Sequence, residues 1–149
     1  MGAVGLRIDP YLGFRFIVEL EGLIVAGFTE VSGLSAEVDT FPYREGGLND
    51  FQHQLPGPVT YPPLVLKRGL TDSDNLWSWH EDVRRGRITR RNGSIILGGE
   101  SIEHGLWRWN FVGAYPVKWV GPDLRADAAT VAVESIELVH RGLSKGLFA

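Results

Sequence analysis

LWRWNFVGAYPVKW, residues 106–119, decides the fold class. Trp107, Trp109, Phe111, Tyr115, Val117 and Trp119 fall at alternate positions. A period of two places alternate side chains on opposite faces of an extended strand. The run therefore reads as a long strand whose aromatic face is buried in a core or covered at an interface.

The neighbouring segments repeat the signal. Downstream, 130–141 is a strand with Val131 and Val133 on one parity and Ile136 and Leu138 on the other. That switch near Glu134 and Ser135 suggests a bulge. Upstream, 88–97 is a strand closed by a turn at Gly98 and Gly99, and Leu64, Val65, Leu66 and Lys67 form a short apolar strand. At the start of the chain, Phe14, Phe16, Val18 and Leu20 alternate with Arg15, Ile17, Glu19 and Glu21. The β-branched run 23–38 is broken at Gly27 and Gly33, where bulges or a bend are expected, and 40–44 is a further short strand.

One helix interrupts the strands, at about 72–85. Leu76, Trp79 and Val83 form a packing stripe with His80 on its border. Thr71 or Ser73 can cap it, Asp72 and Asp74 suit its positive end, Arg84 and Arg85 its negative end, and Gly86 stops it. The order predicts a mainly β domain, an antiparallel barrel or two-sheet sandwich with one packed helix.

The segment REGGLNDFQHQLPGPVTYPP, 44–63, stands apart. It is rich in Gly and Pro, yet carries Leu48, Phe51, Leu55, Val59 and Tyr61. A solvated linker has no use for that apolar surface. With no catalytic constellation for a lid to cover, the segment reads as an arm that contacts another subunit. Its interface residues are Leu48, Phe51, Leu55, Pro56, Pro58 and Tyr61, with the prolines limiting its freedom before docking.

Composition bounds the function. A chain of 149 residues, 44% hydrophobic and 22% charged, suits one domain, 1–149, with 1–10 as an extension and 144–149 as a tail. The net charge of −3 supplies no global attraction to nucleic acid or an anionic membrane. Cysteine is absent, so disulfides, thiolate nucleophiles and thiolate metal sites are excluded. The opening MGAVGLRIDPYLG lacks signal-peptide character and no apolar run is long enough to span a bilayer, so cytoplasmic synthesis without a membrane anchor is expected.

Catalytic and cofactor motifs are missing. His80-Glu81-Asp82 begins like a zinc helix, but Arg84 stands where the second histidine belongs, and His53, His104 and His140 are dispersed. No cofactor or metal is expected, and the chain reads as a non-enzyme. Glu19, Glu21, Glu30, Glu37, Glu134 and Glu137 read as a solvated sheet face. The stretch VRRGRITRR, 83–91, is read as helix-end and strand-face charge, with an anionic-polymer site as its rival. A small β-barrel ligand-binding module, with 106–119 lining a pocket, is the other rival.

In order, FRFIVEL (14–20), GFTEVSGL (27–34), YREG (43–46), LPGP (55–58), LVLKRG (64–69), NLWSW (75–79), AYPVKW (114–119) and VAVESIELVHRGL (131–143) resemble the phage tail tube protein family. The resemblance spans about 11–143. It implies a tail-tube-like fold and a structural subunit of the inner tube of a contractile tail or contractile injection system. Such subunits assemble as homohexameric rings stacked into a hollow conduit. The implied partners are other copies, a contractile sheath protein, baseplate and tube-terminating proteins, and cargo or DNA in the lumen. A tube-initiating, baseplate-proximal ring of the same fold is the near alternative. A tube needs a polar lumen, for which Arg15, Glu19, Glu21 and Arg90 are the candidates.

Overall fold

In the computed structural model the described residues are 16–21, 27–43, 53–98 and 105–146. They form β1 (Phe16–Leu20), β2 (Phe28–Ser32), β3 (Glu37–Tyr43), β4 (His53–Thr60) and β5 (Leu64–Gly69), then helix α1 (Asn75–Arg84). After the helix come β6 (Arg91–Gly98), β7 (Gly105–Val120), β8 (Val133–Val139) and β9 (Gly142–Lys145). The expected class holds: the described residues are mostly antiparallel β with one helix. Arg15, Leu48 and Phe51 lie outside the described residues.

Strand β7 organises the body. Its first part pairs with β6 and β9 and its last part with β8, so one strand runs through β1-β6-β7-β9 and β7-β8-β5-β2. The core lies between them. Val18, Leu20, Ile95 and Phe111 come from the first half, Leu64, Leu66, Ile136 and Leu138 from the second, and Leu76 and Trp79 from α1.

The single aromatic face expected along β7 breaks at Gly113. Phe111 is fully buried, but beyond the register shift Ala114 and Pro116 are the buried residues, while Val117 is 48% exposed and Tyr115 is half-buried. Gly113 sits at φ 64, a left-handed conformation that glycine adopts at little cost. There the strand turns over between its two sets of partners. A second shift between Pro116 and Lys118 returns Trp119 to the core side, opposite Ile136.

The bulge expected in β8 is absent. Its register with β5 is continuous, Leu64↔Leu138, Leu66↔Ile136 and Arg68↔Glu134, so Glu134 shares the parity of Ile136 and Leu138. Glu134 is buried, not part of a solvated face, because Arg68 is buried opposite it.

Helix α1 starts later than its acidic lead-in suggests. Asp74 occupies the N-cap without a side-chain cap bond, and no acidic residue lies in the first turn. Thr71 Oγ1 instead accepts from Ser73 N at 3.3 Å. Arg68 fixes the entry by donating to Ser73 O at 3.3 Å and Asn75 Oδ1 at 2.8 Å. Leu76 and Trp79 are buried, Val83 and His80 half-buried, and Trp79 Nε1 donates to Thr89 O at 2.9 Å. At the C-terminal end, Ser144 and Lys145 belong to β9, paired with Asn110 and Trp109, and are not free tail. Among the described residues no helix is long and apolar enough to cross a membrane.

Candidate assembly surfaces

The Gly/Pro-rich segment contains a strand. β4 pairs antiparallel with β3 in a separate two-stranded ribbon, Phe41 opposite Leu55 and Val38 opposite Val59. The composition pointed to turns because proline cannot donate to a ladder. Pro56 and Pro58 are tolerated because a two-stranded ribbon has an open edge on each strand. Gly57 is needed for close approach: a Cβ there would lie 2.7 Å from Phe41 Cε2 and 2.9 Å from Asp39 O.

The ribbon's apolar side chains face solvent, with Val38, Phe41, Leu55 and Val59 between 47 and 54% exposed. Pro56 and Pro58 are exposed too. Tyr61 is half-buried at the root, its ring 5.2 Å from that of His140, which also neighbours Phe111 at 6.2 Å. His140 Nδ1 lies 3.1 Å from Gly142 O, where it donates, and Nε2 is buried without a partner among the described residues. Burial lowers the His140 pKa, opposed by the backbone hydrogen bond to Gly142.

Strand edges are open among the described residues as well. Among the described residues β1 pairs only with β6, and β2 only with β5. Unpaired N–H and C=O groups on such edges are templates for another chain.

The second surface is polar. Glu19, Ser94, Asn110 and Ser144 stand in one cross-strand row over β1, β6, β7 and β9. Arg108 reaches across it, donating to Asn110 Oδ1 at 3.1 Å, Ser94 Oγ at 3.1 Å and Glu19 Oε2 at 3.4 Å. Ser94 Oγ donates to Asn110 Oδ1 at 2.7 Å. Beside this network a depression of about 630 Å³ is lined by Glu19, Glu21, Asn92, Ser94 and Asn110. The structure thus brings Glu19 and Glu21 together. Arg90 instead lies over the Tyr115 ring at 4.7 Å and donates to Gly113 O at 3.2 Å. Arg108, Ser94 and Asn110 were missed by the sequence reading, which followed only the aromatic parity of β7; their signal was the other parity.

The other arginines of 83–91 are largely engaged within the chain. Arg84 and Arg85 pair with Glu81, and Arg91 donates to Glu21 O at 2.7 Å and lies over Trp79. Trp109 and Phe111 pack into or against the core, and Phe111 also borders the depression beside Asn110 and Val112.

A model of the T4-like virus tail tube protein gp19 family matches residues 12–144. No curated protein matches the chain. Solved structures do. A chain of the anti-feeding prophage tube-terminating cap is similar at 27% identity and TM-score 0.85, covering 97% of this chain and 95% of that one. In the sheath–tube complex of an extracellular contractile injection system, PVC in the extended state, a chain is 25% identical with TM-score 0.83, over 92% of this chain and 91% of that one. A chain of the anti-feeding prophage baseplate, 6-fold symmetrised, is 28% identical with TM-score 0.81, over 93% of this chain and 97% of that one.

Proposed function

The chain belongs to the T4-like virus tail tube protein gp19 family, and on that premise we propose how it works as a structural subunit of a contractile tail or injection particle. Copies close side by side into hexameric rings, and rings stack into a hollow conduit. The observation that carries this reading is the β3–β4 ribbon, whose apolar pairs are left about half exposed by the described residues. A two-stranded ribbon is marginal alone and needs a further surface. Here that surface is another copy, which makes the ribbon the arm of a single tube domain. The open edges of β1 and β2 supply lateral contacts, and the 6-fold symmetry of the baseplate containing a similar chain supports six copies to a ring.

The polar row at Glu19, Ser94, Asn110 and Arg108 faces the lumen. Its charges are paired with one another, so cargo or DNA passes without a strongly attractive wall. The partners are the sheath, the baseplate and a tube-terminating protein, as in the complexes that hold similar chains. Assembly begins in the cytoplasm, and the work is assembly, not catalysis.

Negative-stain electron microscopy of the purified protein tests this. Sixfold rings or tubes about one ring wide are expected; a monomer that persists at high concentration overturns it. The likeness to a baseplate chain favours a second outcome, single rings that do not stack, which would place the chain at the start of the tube.

A further inference from the structure

Asn92 and Gly93 stand side by side in β6, and the fold constrains each separately. Asn92 is exposed, at the register shift between Arg91 and Gly93, and its Oδ1 accepts from Gly113 N at 3.0 Å. That bond holds β7 at the point where the strand turns over. Gly93 lies against the Phe111 ring; a Cβ there would run into the ring and stand 2.6 Å from Glu19 O. The main chain is held from the other side too, because Asn92 O accepts from Glu21 N at 2.9 Å.

The two demands together place a chemically labile pair in the strand. A glycine after asparagine leaves its backbone nitrogen unshielded by any side chain, so that nitrogen can attack the asparagine side-chain carbonyl. Asn49, Asn75 and Asn110 are followed by Asp, Leu and Phe, whose side chains obstruct the same attack. At Asn92 the Gly93 nitrogen would bond to Cγ and ammonia would leave, closing a succinimide ring. Water then opens the ring. Breaking the bond from nitrogen to Cγ gives aspartate, and breaking the bond from nitrogen to the main-chain carbonyl carbon gives isoaspartate. The sum is amide plus water to acid plus ammonia, with nothing oxidised or reduced.

We propose that Asn92 is a site of spontaneous deamidation that the fold keeps silent. Ring closure needs the Asn92 backbone to leave the extended conformation so that Gly93 N meets Cγ. In the folded chain Gly93 is paired with Leu20 on one side and Phe111 on the other, and the Asn92 side chain is tied to Gly113. The reaction therefore waits for β6 to open, and its rate is scaled down by the fraction of time the strand is open. A chain that lingers unfolded has no such guard. Isoaspartate is the damaging product. It routes the main chain through Cβ and Cγ, which lengthens β6 by a methylene and makes the acceptor of Gly113 N part of the backbone. The former main-chain carbonyl, which receives Glu21 N, becomes a free carboxylate. All of the β1 pairing, Leu20↔Gly93 to Phe16↔Leu97, lies beyond that insertion. The modification thus marks chains that failed to fold promptly, however the copies assemble.

Trypsin releases residues 92–108, a peptide with no other asparagine and no glutamine, so a change of amide to acid in it belongs to Asn92. The purified chain is held in mildly alkaline buffer with and without guanidinium chloride at one temperature. Mass spectrometry then follows the peptide, with its aspartyl and isoaspartyl forms separated by chromatography. Conversion about tenfold or more faster in denaturant is expected, since a modest opening free energy already gives that factor. Equal rates in the two buffers overturn the guarding by the fold. Conversion in denaturant no faster at Asn92 than at Asn75 overturns the site itself. Isoaspartyl chains, separated after refolding, should melt well below the parent, while Asn92→Asp, which keeps the backbone length, should melt close to it. An Asn92→Asp variant that falls as far as the isoaspartyl chains overturns the account of the damage.

Discussion

Arg68 Nε donates to Glu134 Oε1 at 2.7 Å, and both side chains are almost sealed from solvent, at 4% and 3% exposure. The same guanidinium holds Ser73 O and Asn75 Oδ1, so one buried cation ties β5, β8 and the entry of α1 together. Taking one partner away leaves a buried charge without compensation. Arg68→Ala is expected to destabilise the dispersed subunit by about 3–5 kcal/mol. The double variant Arg68→Met/Glu134→Leu should recover much of that loss, because the desolvation of both ions disappears with them. Urea unfolding of the two variants beside the parent checks the ordering, and a double variant as unstable as Arg68→Ala contradicts it.

The helix seat is the second test. Leu76 is completely buried, and Leu76→Ala should cost about 2–5 kcal/mol through lost contact and the cavity left behind. Trp79→Phe keeps most of the ring volume but gives up the hydrogen bond to Thr89 O, a loss of about 1 kcal/mol. Thermal unfolding should therefore rank Leu76→Ala well below Trp79→Phe.

Gly57 allows the ribbon and the body to be tested apart. An added Cβ meets Phe41 Cε2 and Asp39 O, both on the ribbon's own partner strand. Gly57→Ala should distort the ribbon and lower the yield of assembled particles while the unfolding midpoint of the body stays within a few degrees. Negative-stain counts and a melt on the same sample decide it; a large fall in the midpoint would mean that the ribbon is integral to the body.

His140 predicts a pH dependence with a definite sign. Burial holds its pKa below the ordinary histidine value of 6.5 in the folded chain, so the unfolded chain binds the proton more readily. The resulting stability is fully present above pH 6.5, declines as pH falls below it, and is lost once pH has passed through the depressed folded value. His140→Phe should flatten this part of the stability–pH curve while keeping an aromatic ring against Tyr61 and Phe111. If the parent and the variant show the same slope between pH 7.5 and 5.5, His140 is not its source.

Particular residues show why some of this was legible in the chain and some was not. The alternation of Phe16, Val18 and Leu20, and of Leu64 and Leu66, is local, and the buried face of each strand follows from its own period. The Leu76 and Trp79 stripe on α1 is local in the same sense. The polarity of Glu134 misled, because its partner Arg68 is 66 residues away. Tyr115 and Val117 misled because a register shift beside Gly113 reverses which parity is buried. The prolines of β4 suggested turns because composition alone does not reveal that the strand keeps an open edge.

The sequence by itself determined the strand-rich class, the helix at 75–84, the absence of thiol chemistry and an apolar segment among glycines and prolines, since each rests on residue type or on a period within one segment. Only the tertiary structure decided that the Gly/Pro-rich segment contains a paired strand, and that Arg68 and Glu134 neutralise each other inside the core. Those outcomes depend on which distant strands pair and in what register, and register is set by burying all the apolar faces at once.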